Sequence, residues 1–146
     1  MNIEIKIDDK YEEEKIIIES SKITEELSNI INTLKNLDKE KIKVFLEDET
    51  YFIDEKDIET IYSNDKKVFI KTKDNEYVCK QRLYELESIL PKKDFIRISN
   101  SEIINLNKVK SINTKFIGSI VITFYSGYIT YSSRRYINKI KEILNV

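Results

Sequence analysis

The sequence predicts a mainly β protein. Antiparallel strands with a few short helices are expected over residues 42–146, after a strand–strand–helix extension over residues 1–41. Three observations carry that prediction. From Ile42 onward, short β-branched and aromatic segments follow one another with charged turns between them. In the same stretch only Arg82–Leu90 and Arg134–Leu144 space their apolar residues at helical intervals. Forty per cent of the 146 residues are hydrophobic, enough for a packed core.

Each element has a local reason. Asn2–Ile7 alternates with period two and reads as a strand, and Glu14–Ser20, rich in isoleucine, reads as a second. Leu27, Ile30, Ile31, Leu34 and Leu37 recur at helical spacing behind Thr24, a residue suited to cap a helix. That stripe serves either the core or a dimer seam. Strands are expected within "KIKVFLE", "TYFID", "IETIYS", "KVFIKT" and "EYVCKQ". In "RLYELESIL", Leu83, Leu86 and Leu90 share one face of a short helix that Pro91 stops. "FIRI", "KVKSI", "SIVITFY" and "YITYS" read as further strands, the last two joined tightly at Ser126–Gly127. Between "FIRI" and "KVKSI", the step Ser99–Asn100–Ser101 reads as a turn. Glu102–Asn105 then reads as a short helical turn capped by Ser99 or Ser101. A final helix packs Ile137, Ile140 and Leu144.

Composition removes whole classes of chemistry. Histidine is absent and Cys79 is the one cysteine, so Cys/His zinc sites, Ser-His-Asp and Cys-His nucleophile systems and internal disulfides cannot be built. Gly118 and Gly127 are the two glycines, too few for a glycine-rich phosphate loop. Acidic runs such as Glu12–Glu14 read as solvated surface. No enzyme activity and no cofactor are expected. Apolar runs stop at about three residues, so no membrane insertion is expected, and the charged start lacks a secretory core. A cytoplasmic location follows as the expectation.

The net charge of −1 conceals a division: residues 1–60 carry −9 and residues 61–146 carry +8. A basic half suits a phosphate backbone, although lysine-rich surfaces also serve solubility. Within that half, Ser132 or Ser133 is expected to cap the last helix, leaving Arg134 and Arg135 in its first turn. Cations there oppose the helix dipole at a cost of up to ~1 kcal/mol each. Free backbone N–H groups and two guanidinium forks together make an anion site, and arginine also reads guanine edges. The alternative is a pair of surface arginines bridging to the acidic half. Asn100 at an exposed turn tip can bond adenine or a phosphate.

"FIRISNSEIINLNKVKSI", followed some twenty residues later by "YSSRRYINKIKEIL", resembles the LytTR family of bacterial DNA-binding domains. "DIETIYSNDKKVFIKT" and "LYELESIL" are similar to its opening strands and internal helix, so the resemblance covers about Ile42–Val146. It implies an elongated stack of small antiparallel sheets. It also implies loops, not a recognition helix, entering successive major grooves of repeated sites on double-stranded DNA to control transcription. Its contact positions fall on Asn100, with Ser99 beside it, on Arg135, with Arg134 its neighbour, and on Lys66 or Lys67; Ser101 and Ser133, in the same two segments, are further candidate DNA-binding residues. Many relatives carry His or Arg where this chain has Ser99 or Asn100, a change that bears on base preference. Forty-one residues cannot make the receiver domain that many relatives carry. The chain therefore looks like a small stand-alone regulator, a homodimer at least on DNA, with a membrane-bound regulatory partner in some systems. Two other readings stand beside it. The acidic N-terminal half can dock a basic or amphipathic protein segment, or Tyr125, Tyr128 and Tyr131 can stack on RNA bases.

Overall fold

Short strands joined by tight turns make up most of the chain beyond Ile42. The computed structural model describes residues 1–37 and 41–146. Helix α1 (Glu25–Leu37) precedes β1 (Ile42–Leu46), β2 (Glu49–Ile53), β3 (Ile58–Asn64), β4 (Lys67–Thr72) and β5 (Glu76–Cys79). Helix α2 (Leu83–Ile89) follows, then β6 (Phe95–Ser99), β7 (Glu102–Asn105), β8 (Val109–Asn113), β9 (Val121–Phe124), β10 (Ile129–Tyr131) and α3 (Ile137–Leu144). The chain divides into two units, Met1–Lys39 and Glu40–Val146.

In the larger unit, seven strands form one antiparallel sheet in the order β2-β1-β5-β4-β3-β7-β6, and β10-β9-β8 form a second. Two cores explain the sequence pattern. One gathers Val44, Ile58, Ile61, Ile70, Leu83, Leu86, Leu90, Phe95 and Ile103. The other gathers Ile96, Ile98, Ile104, Ile120, Ile122, Phe124 and Ile140. Strands β6 and β7 therefore send alternate side chains into different cores and are apolar on both faces. A strand buried on both faces loses period-two alternation. That is why Glu102–Asn105, expected as a helical turn, is instead a strand paired with both β3 and β6. The α2 stop is as expected: Leu90, ahead of Pro91, is extended at φ −78°, ψ 144°. The Ser126–Gly127 hairpin holds too, with Gly127 at φ 93° and its N–H donating to Phe124 O at 3.0 Å.

Two acids lie where the sheets meet, unlike the solvated acidic runs. Glu102 is buried, and its carboxylate accepts from the Thr130 and Thr60 hydroxyls and, at 3.4 Å, from Tyr128 Oη. Buried Glu59 accepts from Ser126 Oγ through Oε1. Thr60, Glu59 and Glu102 belong to the seven-stranded sheet, and Ser126, Tyr128 and Thr130 to the β9–β10 hairpin. Polar bonds across an apolar seam fix one register between the sheets, since any other leaves a buried carboxylate unpaired.

The smaller unit departs from expectation. Residues 2–7 and 14–20 form no strand; the strand–strand–helix extension reduces to α1 and an irregular lead. Two isolated strands are marginal in water, and among the described residues of this unit no third strand is present to pair with them. Ile3, Ile5, Ile7, Ile16 and Ile17 are all exposed. Helix α1 is as expected: Thr24 Oγ1 accepts the Leu27 N–H at 3.1 Å, and Leu27 is buried.

Candidate nucleic-acid interface

Sheet order brings three separate turns to one end of the larger unit. Strand β3 runs toward Asn64, and β7 begins opposite it, with Tyr62 paired to Glu102. The β3–β4 turn and the β6–β7 turn therefore lie at the same end of the sheet. A 2.8 Å bond from Ser63 N–H to Ser101 O joins them. Neighbouring strands are about 4.8 Å apart, so the centres of these turns, two strand intervals apart, are about 10 Å apart. The third turn, Arg134–Tyr136, lies beyond β6. Ser133 N–H donates to Ile98 O at 2.9 Å, and Tyr136 Oη donates to Asn100 Oδ1 at 3.2 Å.

Each turn has its own construction. Asp65 (φ 49°) and Lys66 (φ 65°) are the two residues between the paired Asn64 and Lys67. Positive φ at both central positions is the turn that matches the twist of a two-residue hairpin. Lys66 and Lys67 are exposed at its tip. In the second turn Ser99 Oγ accepts the Ser101 N–H at 3.2 Å, a side chain replacing a backbone turn bond. Arg97 braces that turn from below. Its Nε donates to Ser99 O at 2.8 Å, its Nη2 to Asn100 O, and its Nη1 to the Glu87 carboxylate on α2. Asn100 and Ser101 are exposed and Ser99 is half-buried.

The third turn corrects the sequence reading. Arg134–Tyr136 is a 3-10 turn ahead of α3, so the two arginines precede the helix instead of occupying its first turn. Neither serine caps it. Ser133 makes no side-chain cap bond, and buried Ser132 accepts the Ile120 N–H through Oγ at 2.9 Å. Arg134 lies against Gly118: a methyl group there would sit 2.9 Å from its Nη2. Arg135 is exposed. The ion pairs among the described residues are Lys6–Glu4 and Arg97–Glu87, so neither arginine is spent on a carboxylate there.

An exposed row of lysine, amide, hydroxyl and guanidinium groups, held by backbone turns at one sheet end, gives the comparisons a physical frame. The LytTr DNA-binding domain profile matches residues 48–145. The chain belongs to the LytTR family. Curated relatives include an uncharacterized HTH-type transcriptional regulator of Staphylococcus aureus strain MSSA476, 35% identical over 100% of this chain and 99% of its own length. A counterpart from strain MRSA252 is 34% identical over the same shares. Among solved structures, a LytTr DNA-binding domain from Bacillus cereus superposes with a TM-score of 0.71. It is 23% identical and covers 74% of this chain and 99% of its own, which establishes the shared fold. The relatives' printed name mentions a helix–turn–helix. In this LytTR chain every pair of successive α-helices among the described residues is separated by strands.

The LytTR domain also gathers groups that sequence reasoning missed. Val68 pairs with Cys79, so the segment after β5 lies beside the β3–β4 turn, and Lys66, Lys67, Lys80 and Arg82 line one shallow groove there. The sequence signal was only the cluster "KQR" after a strand. Arg97 was equally unmarked, because a brace is recognised by its two carbonyl partners and not by its neighbours in sequence. Cys79 is buried, and that burial raises its thiol pKa. No helix among the described residues is long and apolar enough to cross a membrane.

Proposed function

We propose that this LytTR protein is a sequence-specific, DNA-binding transcriptional regulator acting in the cytoplasm, without catalytic activity. Lys66 and Lys67 at one end of the row, and Arg134 and Arg135 at the other, enter successive major grooves of a repeated promoter site. Ser99, Asn100, Ser101 and Ser133 hold the centre. The observation that carries this reading is the hydrogen-bonded union of three turns, far apart in sequence, at one sheet end. Arg135, exposed and outside any ion pair among the described residues, is the residue assigned to a guanine edge. The protein acts as a homodimer at least on DNA, with one copy per repeat. The N-terminal unit pairs protomers or receives a regulatory signal, including one from a membrane-bound partner.

Binding titrations of the full chain against promoter DNA test the proposal. If about five phosphates are neutralised, log K falls against log salt with a slope of roughly −4 to −5. Arg135→Ala costs about 1–3 kcal/mol on the selected site. A flat salt response, with Arg135→Ala binding as tightly as the parent, would overturn the proposal.

One observation favours an additional partner. The exposed isoleucines of residues 3–17 lie beside exposed Glu12–Glu14, a combination suited to a basic, amphipathic protein segment. This surface is in the other unit and is compatible with DNA binding.

A further inference from the structure

The loop between β8 and β9 carries two large apolar side chains in open solvent, Phe116 at 57% and Ile117 at 99% relative exposure. Scattered exposed apolar residues are ordinary. This pair differs in its surroundings. Lys115 precedes it and Gly118 follows, and Gly118 is the residue against which the Arg134 guanidinium lies. The base of the loop is tied to the arginine segment by three bonds. Ile120 N–H donates to Ser132 Oγ at 2.9 Å, Ser132 N–H to Ile120 O at 3.0 Å, and Ser119 Oγ to Ser132 O at 3.4 Å. Strand register adds Tyr131, 62% exposed, at the same end: it pairs with Val121, which pairs with Asn113. An apolar tip is thus continuous with Arg134, which Arg135 follows in the chain, and is flanked by Lys115.

Continuity and charge select the occupant. A basic or apolar protein segment would meet three cations here, whereas a duplex supplies both phosphates and an apolar group. The apolar group that a major groove presents is the C5-methyl of thymine. We propose that Phe116 and Ile117 form a further DNA-reading element, covering thymine methyls in the groove that Arg135 enters. The inference rests on the DNA-binding reading above. It adds a preference for thymine beside the base addressed by Arg135.

The test uses the full chain and a duplex bearing two copies of the site it selects from random-sequence DNA. That duplex is made once with thymine and once with deoxyuridine at every thymine position. Each methyl covered is worth about fourfold in affinity. The parent therefore binds the deoxyuridine duplex at least about fourfold more weakly. Phe116→Ser/Ile117→Ser binds the thymine duplex with a similar loss and no longer distinguishes the two duplexes. Both side chains are exposed, so the variant should keep the parent's melting temperature. Equal parent affinity for both duplexes would overturn the inference, as would a double variant that still discriminates between them. If Arg135→Ala loses affinity and the loop variant does not, the inference fails and the DNA-binding reading stands. If neither loses affinity, that reading fails as well.

Discussion

At the residue scale, the side chains that shape the edge matter as much as those exposed on it. Arg97 bonds the carbonyls of Ser99 and Asn100 with one planar fork while its far side holds Glu87. Lysine keeps the charge but cannot span those partners in fixed geometry. Arg97→Lys is expected to weaken DNA binding by about 1 kcal/mol, the net worth of a lost hydrogen bond, with little change in the salt slope. A variant that binds as the parent does would release the turn from this brace. Glu102 offers a second test. Burial, opposed in part by the hydroxyls of Thr130, Thr60 and Tyr128, raises its pKa above the ordinary 4.5. The folded protein therefore holds the Glu102 proton more tightly than the unfolded chain. This group favours folding at pH below about 4.5, the ordinary value, and that contribution fades as pH rises through the raised folded-state value. Melting temperature measured against pH should lose this downward component in Glu102→Gln. Parallel curves for parent and variant would show that Glu102 titrates as an ordinary carboxylate.

At the element scale, the arginine turn is held from outside itself. The 3-10 turn has no side-chain cap; its position comes from Ser133 on Ile98, Tyr136 on Asn100 and Ser132 on Ile120. Ser132→Ala leaves the buried Ile120 N–H without its acceptor, at a cost of about 1–3 kcal/mol in stability. Denaturant unfolding reads this directly, and an unchanged midpoint would show that water replaces the hydroxyl. The same element marks how far the sequence could be read. Strands β1, β4 and β5, α2 and the β9–β10 hairpin were legible because each has one buried face or a turn residue of fixed chemistry. Strand β7 was not, because burial on both faces erased its alternation. Asn2–Ile7 had a strand's pattern and formed none, because pattern creates a strand only where a neighbour completes its hydrogen bonds. Ser132, one of the two serines expected to cap the helix, instead accepts from Ile120, which the sheet brings to it.

At the scale of the whole molecule, a β-rich unit with almost no glycine presents cations and amides from Lys66 to Arg135 on one hydrogen-bonded edge. Turns distant in sequence are joined in pairs: the order β4-β3-β7-β6 sets the first two side by side, and bonds from Ser133 and Tyr136 join the second to the third. The resemblance pointed to Asn100, Arg135 and the lysine turn individually. Their junction through Ser63, Ser101, Ile98 and Tyr136 required the fold. The acidic N-terminal unit carries none of these groups. The most direct measurement is an amide NMR titration of the full chain with its selected duplex. The account predicts that the largest shifts fall together on residues 65–67, 99–101 and 133–136, with little change in residues 25–37. Shifts concentrated in residues 1–37, or confined to one turn while the other two stay still, would contradict it.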